Sequence, residues 1–428
     1  MGRLTVDRNG RTFEKDGKPF FYLADTIWSA FTNVTETEWE YYLDYRKAQG
    51  FTALQINVLP QWDRCMVDVG GYPFPTEDGA VFDFGGGFQE SYFSHAADMC
   101  RVAVEKGFQL ALVLLWVNYA PGTWGSRICD RNIMPKELLR PYTEKVHQVF
   151  DCFDPIYIVS GDTDFDTPEA VEWYREVLDT ICRCSPDTLK GLHIKRGYDV
   201  IPEDFVSKID FYMYQSGHNC NGQDMAYKLA EKMWARENRK PVINSEPCYE
   251  QMGYSRNIYG RFEREDVRHA AWQSILSGAC AGITYGAHGI WNWYTAGMPK
   301  NKMLGEGFDT ARIWQDALKF PGAWDYGYIR ELLETKETGC LTPVQELIEN
   351  STEEIRGAVG ENGMYLFYLP CNTKLVVKKS LENYQVRVLD LEERRSGRPE
   401  VTVTDGKTQI AMHRFEKDAL ILAWPENR

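Results

Sequence analysis

Pro155-Ile-Tyr-Ile-Val-Ser-Gly-Asp162 is a short apolar run that ends in a carboxylate. Consecutive apolar positions suit a strand buried on both faces, as in a parallel sheet covered by helices. Pro241-Val-Ile-Asn-Ser-Glu246 has the same form. A charge at the tip of a buried strand is costly unless it is used there. If both strands belong to one barrel, Asp162 and Glu246 face each other across its mouth. Two opposed carboxylates are the minimum equipment for cutting a glycosidic bond.

Outward from these two runs, a unit of apolar strand, loop and amphipathic helix recurs. The expected strands are Phe20–Asp25, Thr52–Val58, Gln109–Trp116, Pro155–Asp162, Leu189–Lys195, Ile209–Tyr214, Pro241–Glu246 and Ala281–Tyr285. Helix signals fall between them. Thr35-Glu-Thr-Glu38 reads as a capping box, with Gly50 as the stop. Further helices are expected over 91–106, over 135–150, from Pro168 after Thr167, over 223–237, over 265–277, and between Asp309 and Glu334. Eight such units predict an α/β fold, a (β/α)8 TIM barrel. An open doubly wound sheet is the rival. It is disfavoured because Asp25-Thr-Ile-Trp28, not a glycine-rich phosphate loop, follows strand one.

Asn9-Gly10 and Asp16-Gly17 predict β-hairpins ahead of the barrel. The character changes near Thr338, where turn pairs such as Ser396-Gly397 and Asp405-Gly406 separate short strands. A barrel domain over 1–337 and a C-terminal all-β sandwich over 338–428 are therefore expected.

The chain has 428 residues and a formal net charge of −14. An acidic balance argues against nucleic-acid or anionic-membrane partners, which need a basic face. No run approaches the length of a membrane span. The polar start, Met1-Gly-Arg-Leu, carries no signal-type segment, so a cytoplasmic location is expected. Eleven scattered cysteines without a CxxC pair read as reduced thiols.

Barrel enzymes place their chemistry at the C-terminal ends of strands. The polar and aromatic residues expected there are Asp25, Trp28, Gln55, Asn57, Trp116, Asn118, His193, Tyr214, Gln215, His218, Tyr249, Tyr285, His288 and Trp291. They are candidates for holding sugar hydroxyls or stacking on a sugar ring. Asp162 and Glu246 are the candidate proton donor and nucleophile. No metal or cofactor is expected. A metal-dependent isomerase or amidohydrolase would use His193, His218, Asp162 and Glu246 as ligands, but histidine is otherwise sparse. A non-catalytic carbohydrate-binding protein is the third reading.

Six segments together resemble the apiosidase-like glycoside hydrolases. They are Gly17-Lys-Pro-Phe-Phe-Tyr-Leu-Ala-Asp-Thr-Ile-Trp28, Gly50-Phe-Thr-Ala-Leu-Gln55, Ser160-Gly-Asp162, Gln215-Ser-Gly-His218, Ser245-Glu-Pro-Cys-Tyr-Glu250 and Tyr285-Gly-Ala-His-Gly-Ile-Trp291. The resemblance implies a retaining mechanism, with Asp162 as acid/base and Glu246 as nucleophile. It also implies a small carbohydrate substrate, since the family includes enzymes acting on apiose in plant pectin. Ser160 and Cys248 stand where family members often carry Gly and Arg. The second departure bears on what steadies Glu246.

Overall fold

The computed structural model describes residues 2–65, 68–254, 258–297 and 310–426. Eight parallel strands form one sheet: β1 Tyr22–Thr26, β2 Ala53–Asn57, β3 Gln109–Trp116, β4 Ile156–Gly161, β5 Lys190–Gly191, β6 Tyr212–Tyr214, β7 Val242–Asn244 and β8 Gly282–Tyr285. Their spatial order is β5-β4-β3-β2-β1-β8-β7-β6. The first strand thus pairs with the last, which an open doubly wound sheet would not allow. Between β5 and β6 no ladder forms, but backbone N–H groups of Asp210 and Gly197 donate to Lys190 and Gln215, at 2.8 and 3.1 Å, across the seam. The result is a near-closed TIM-like barrel.

The helices form where local chemistry directs them. They include α1 Glu36–Ala48, α2 Glu90–Glu105, α3 Lys136–Phe150, α4 Pro168–Cys184, α5 Glu203–Val206, α6 Met225–Trp234, α7 Arg264–Leu276 and α8 Gly322–Thr335. Thr35 and Glu38 cap α1 reciprocally, as the sequence predicts. Thr167 caps α4, whose first residue is Pro168. All eight residues of β3 are buried, matching its unbroken apolar run. Strands β5 and β6 are shorter than expected, because residues flanking them leave the ladder for turns and side-chain contacts. An antiparallel three-stranded sheet, Leu4–Val6, Phe13–Lys15 and Lys18–Phe20, plugs the barrel floor. Its Phe13 ring lies 5.6 Å from that of Phe211.

Beyond α8 the chain builds two antiparallel sheets, one of six strands and one of three. Side chains alternate across the larger sheet. Phe367, Leu369 and Ile421 pack with Leu375, Val377 and Ile410 of the smaller sheet. Leu366, Tyr368, Leu420 and Leu422 join the core of the barrel. The sandwich thus buttresses the helical layer. A buried ionic knot reinforces the contact: Arg268 of α7 donates to Asp418 and to Asp325 of α8, both at 2.8 Å. Tyr368 donates to the same Asp418 at 3.0 Å.

Removing one member of such a knot leaves uncompensated buried charge. Arg268→Ala is therefore expected to destabilise the protein by about 3–5 kcal/mol, read by denaturant unfolding. A change too small to measure would mean that the two carboxylates find water once the arginine is gone.

All eleven cysteines are free. Among the described residues, no helix is long and apolar enough to cross a membrane.

Candidate active site

Asp162 follows β4 directly and adopts a left-handed backbone, φ +50°. Asp accepts that region more readily than most residues, and the turn swings the chain off the barrel wall. The residue before it has to be glycine. A Cβ on Gly161 would lie 1.9 Å from the Trp116 ring, which fills that space. Trp124 Nε1 donates to the Asp162 carbonyl at 2.7 Å and pins the turn from above.

Glu246 stands two residues beyond β7 and is buried. Its main chain is fixed on two sides. Gly217 N–H donates to the Glu246 carbonyl at 3.0 Å, and Gln55 Nε2 donates to the neighbouring Ser245 carbonyl at 3.2 Å. Its carboxylate lies between two imidazoles. His218 Nε2 is 2.7 Å from Oε1. His193 Nε2 is 3.1 Å from Oε2, in contact but without the alignment of a full hydrogen bond. Burial alone would raise the Glu246 pKa. The two histidine donors outweigh it and hold the carboxyl down to about 2. The group is therefore held in its ionised form at neutral pH.

The tautomer of His193 follows from geometry. The backbone N–H of Asp162 donates to Nδ1 at 2.9 Å. A backbone N–H can only donate, so Nδ1 accepts and the proton sits on Nε2, facing Glu246. One imidazole thus links the main chain of one acid to the side chain of the other. It is wedged between Trp28 and Trp116, with ring centroids 5.5 and 5.6 Å away. Its Nδ1 is hydrogen-bonded and its Nε2 lies against Glu246. Among the described residues, no group of three or more His, Cys, Asp or Glu is arranged to hold a metal ion.

Asp162 and Glu246 line one cleft. Of the residues expected there, Trp28, Trp116, Gln215, His218, Tyr249 and Trp291 also line it. Four of these present buried polar atoms without a partner among the described residues: Trp116 Nε1, Trp291 Nε1, Gln215 Oε1 and His218 Nδ1. Donors and acceptors set among flat rings suit a sugar, with its apolar C–H faces and polar hydroxyl edges. Trp28 Nε1 is already used, donating to Tyr249 at 3.0 Å.

The other expected residues lie elsewhere. Asp25 is turned outward and pairs with Arg46 at 2.5 Å and Tyr42 at 2.7 Å. Tyr214 donates to the Ala226 carbonyl at 2.6 Å. Tyr285 donates to Glu250 at 2.5 Å. These three steady the wall and do not touch the cleft. Gln55 sits inside the barrel beneath it, accepting from Tyr22 at 3.1 Å. His193 backs Glu246 and is fully buried. His288 is buried beside Trp291, with near-parallel rings 6.3 Å apart. Asn118 lines an adjoining cleft across Trp62. Asn57 reaches the site only through Gln61, to which it donates.

Five lining residues were not expected: Gln61, Trp62, Asp63, Trp124 and Met252. All lie in loops after β2, β3 and β7. The signal available was positional, since loops at the C-terminal ends of barrel strands carry function. The loop after β2 is clamped. Tyr92 and Tyr119 donate to the carbonyls of Val58 and Pro60 at 2.7 and 2.8 Å. Arg64 donates to that of Gln61 at 2.9 Å, and Cys65 N–H bonds Asn292 at 3.0 Å.

A parallel barrel with acids from its fourth and seventh strands in one aromatic cleft has the form of a barrel glycosidase. The chain belongs to the apiosidase-like family: residues 7–338 match its catalytic domain. It is a glycoside hydrolase. A solved structure described as a glycoside hydrolase is 20% identical with a TM-score of 0.80, the match covering 100% of this chain and 98% of that one. A glycoside hydrolase family 5 protein from Bacteroides vulgatus ATCC 8482 is 21% identical, TM-score 0.82, covering 100% and 94%. A family 5 mannosidase from Rhizomucor miehei is 10% identical, TM-score 0.53, covering 78% and 99%. At these identities the likeness is one of fold. No curated protein matches the chain.

Proposed function

We propose that the protein is a retaining, exo-acting glycosidase that removes a neutral sugar from a plant-type oligosaccharide. Asp162 protonates the leaving oxygen while Glu246 attacks the anomeric carbon. Asp162 then takes a proton from water as that water releases the sugar from Glu246. The observation that carries this reading is the pair of imidazoles on Glu246. A nucleophile must be ionised, and the His218 hydrogen bond with the His193 contact keeps it so inside a buried cleft. Asp162 is the more exposed of the two acids, which suits a group that must exchange protons with leaving group and water. Exo action accords with a cleft walled by Trp62, Trp124 and Trp291. The plant-type substrate rests on the family's name.

Nuclear magnetic resonance of the first-formed anomer tests the mechanism, using nitrophenyl glycosides and plant cell-wall oligosaccharides. Net retention with monosaccharide release is expected. An inverted first product would overturn the assignment of Glu246 as nucleophile, and internal cleavage would overturn exo action.

A further inference from the structure

A third carboxyl faces the same cleft, and neither acid/base nor nucleophilic chemistry uses it. Asp63 lies in the clamped loop after β2. Gln61 Nε2 donates to its Oδ1 at 2.9 Å, and Asn57, at the end of β2, donates to Gln61 in turn. A relay from the barrel strand therefore sets the orientation of this carboxyl. A backbone N–H at Asp63 also bonds the carboxylate, and Asp63 lines the cleft with Asp162 and Glu246. No Lys or Arg lines this cleft among the described residues. Arg64, next in the chain, is taken up by Asp68 at 2.8 Å.

We propose that Asp63 is a specificity-determining residue whose carboxylate accepts hydrogen bonds from hydroxyls of the sugar held in the cleft, selecting a neutral sugar and rejecting an anionic one. The inference rests on the glycosidase reading above. The carboxylates of Glu246 and, above its pKa, Asp63 repel a uronate, whereas hydroxyls supply the donors that a carboxylate needs. The aromatic walls take the apolar faces of the ring, and Asp63 reads its edge. An unused carboxyl in such a place would be costly, and a rigid relay holding it there serves recognition better than packing.

The titration of Asp63 gives a readout that packing alone would not. Burial, then Glu246, push its pKa up, and the Gln61 hydrogen bond opposes them, leaving it at about 6. The charged or titratable groups around it are Glu246, Asp162 and His218 in the cleft, Arg64 beside it, and Cys129 within electrostatic range. The accepting, ionised form prevails above that pKa. KM of the wild type should therefore fall as pH rises through about 6.

The test compares wild type with Asp63→Asn and Asp63→Ser, using the nitrophenyl glycoside that wild type cleaves best. Binding of free neutral monosaccharides and of glucuronate and galacturonate is followed in parallel by saturation-transfer NMR. Both variants should raise KM about 10- to 100-fold, the worth of hydrogen bonds to a charged group, with kcat little changed. The pH dependence of KM near 6 should vanish, and discrimination against the uronates should weaken. Wild-type KM and sugar selectivity in correctly folded variants would overturn the inference and leave the glycosidase reading standing. Collapse of kcat with KM unchanged would also overturn it, moving Asp63 into the chemical step. A wild type that neither binds nor cleaves any sugar would overturn both readings.

Discussion

Glu246→Gln should lower kcat by about 10⁴-fold or more while leaving the fold intact. The amide has the size of the carboxylate, and the main chain at Glu246 is held by Gly217 and, through Ser245, by Gln55. What is lost is the charge, and with it the ability to bond the anomeric carbon. The measurement is kcat on the best glycoside, beside a thermal unfolding curve. Azide should partly restore turnover, releasing a glycosyl azide of inverted configuration. Activity near that of wild type would place the attack on another group. The same site sets a sign for pH. Because the histidines hold Glu246 down, it stays ionised until the pH falls to about 2. No loss of kcat/KM between pH 4 and 6 should then be traceable to protonation of Glu246, so a limb in that range belongs to another group, Asp63 among them.

Asp162→Asn should cost about 10²- to 10⁴-fold in kcat for glycosides with poor leaving groups. In kcat/KM, which reports the first step alone, the loss should be far smaller for a dinitrophenyl glycoside, whose leaving group departs without a proton. Asn is the right probe because the backbone at 162 is left-handed, φ +50°. Asn tolerates that conformation, so chemistry is removed without adding backbone strain. The alkaline limb of the kcat profile should disappear with the proton donor. An equal loss of kcat/KM on all leaving groups would contradict a role in protonation.

The likeness of these two acids in sequence hides a difference in how they are held. Asp162 is aimed by its backbone, through Gly161, the left-handed turn and the Trp124 clamp. Glu246 is held by side chains, His193 and His218. His193 touches both arrangements. Movement of the Asp162 main chain would therefore disturb the donor that faces Glu246. Cys248 is buried, and it is the two imidazoles that face the Glu246 carboxylate.

Local chemistry was enough to read the eight units, the caps at Thr35 and Thr167, and the hairpins ahead of the barrel. Apolar runs, capping residues and turn pairs act over a few residues and leave their mark in order along the chain. The acids at 162 and 246 were legible for the same reason, since each breaks an apolar run at its end. The direction of the remaining polar side chains was not. Asp25, Gln55, Tyr214 and Tyr285 have the same strand-tip setting as cleft residues. A barrel strand is buried on both faces, so polarity does not tell inside from outside. Packing against Arg46, Ser245, Ala226 and Glu250 decided that these four support the wall. Likewise nothing local distinguishes Gln61, Trp62 and Asp63 within a loop rich in Gly and Pro. They reach the cleft because Tyr92, Tyr119 and Asn292, distant in sequence, clamp their loop across the barrel mouth. Contacts of that range exist only once the chain has closed on itself.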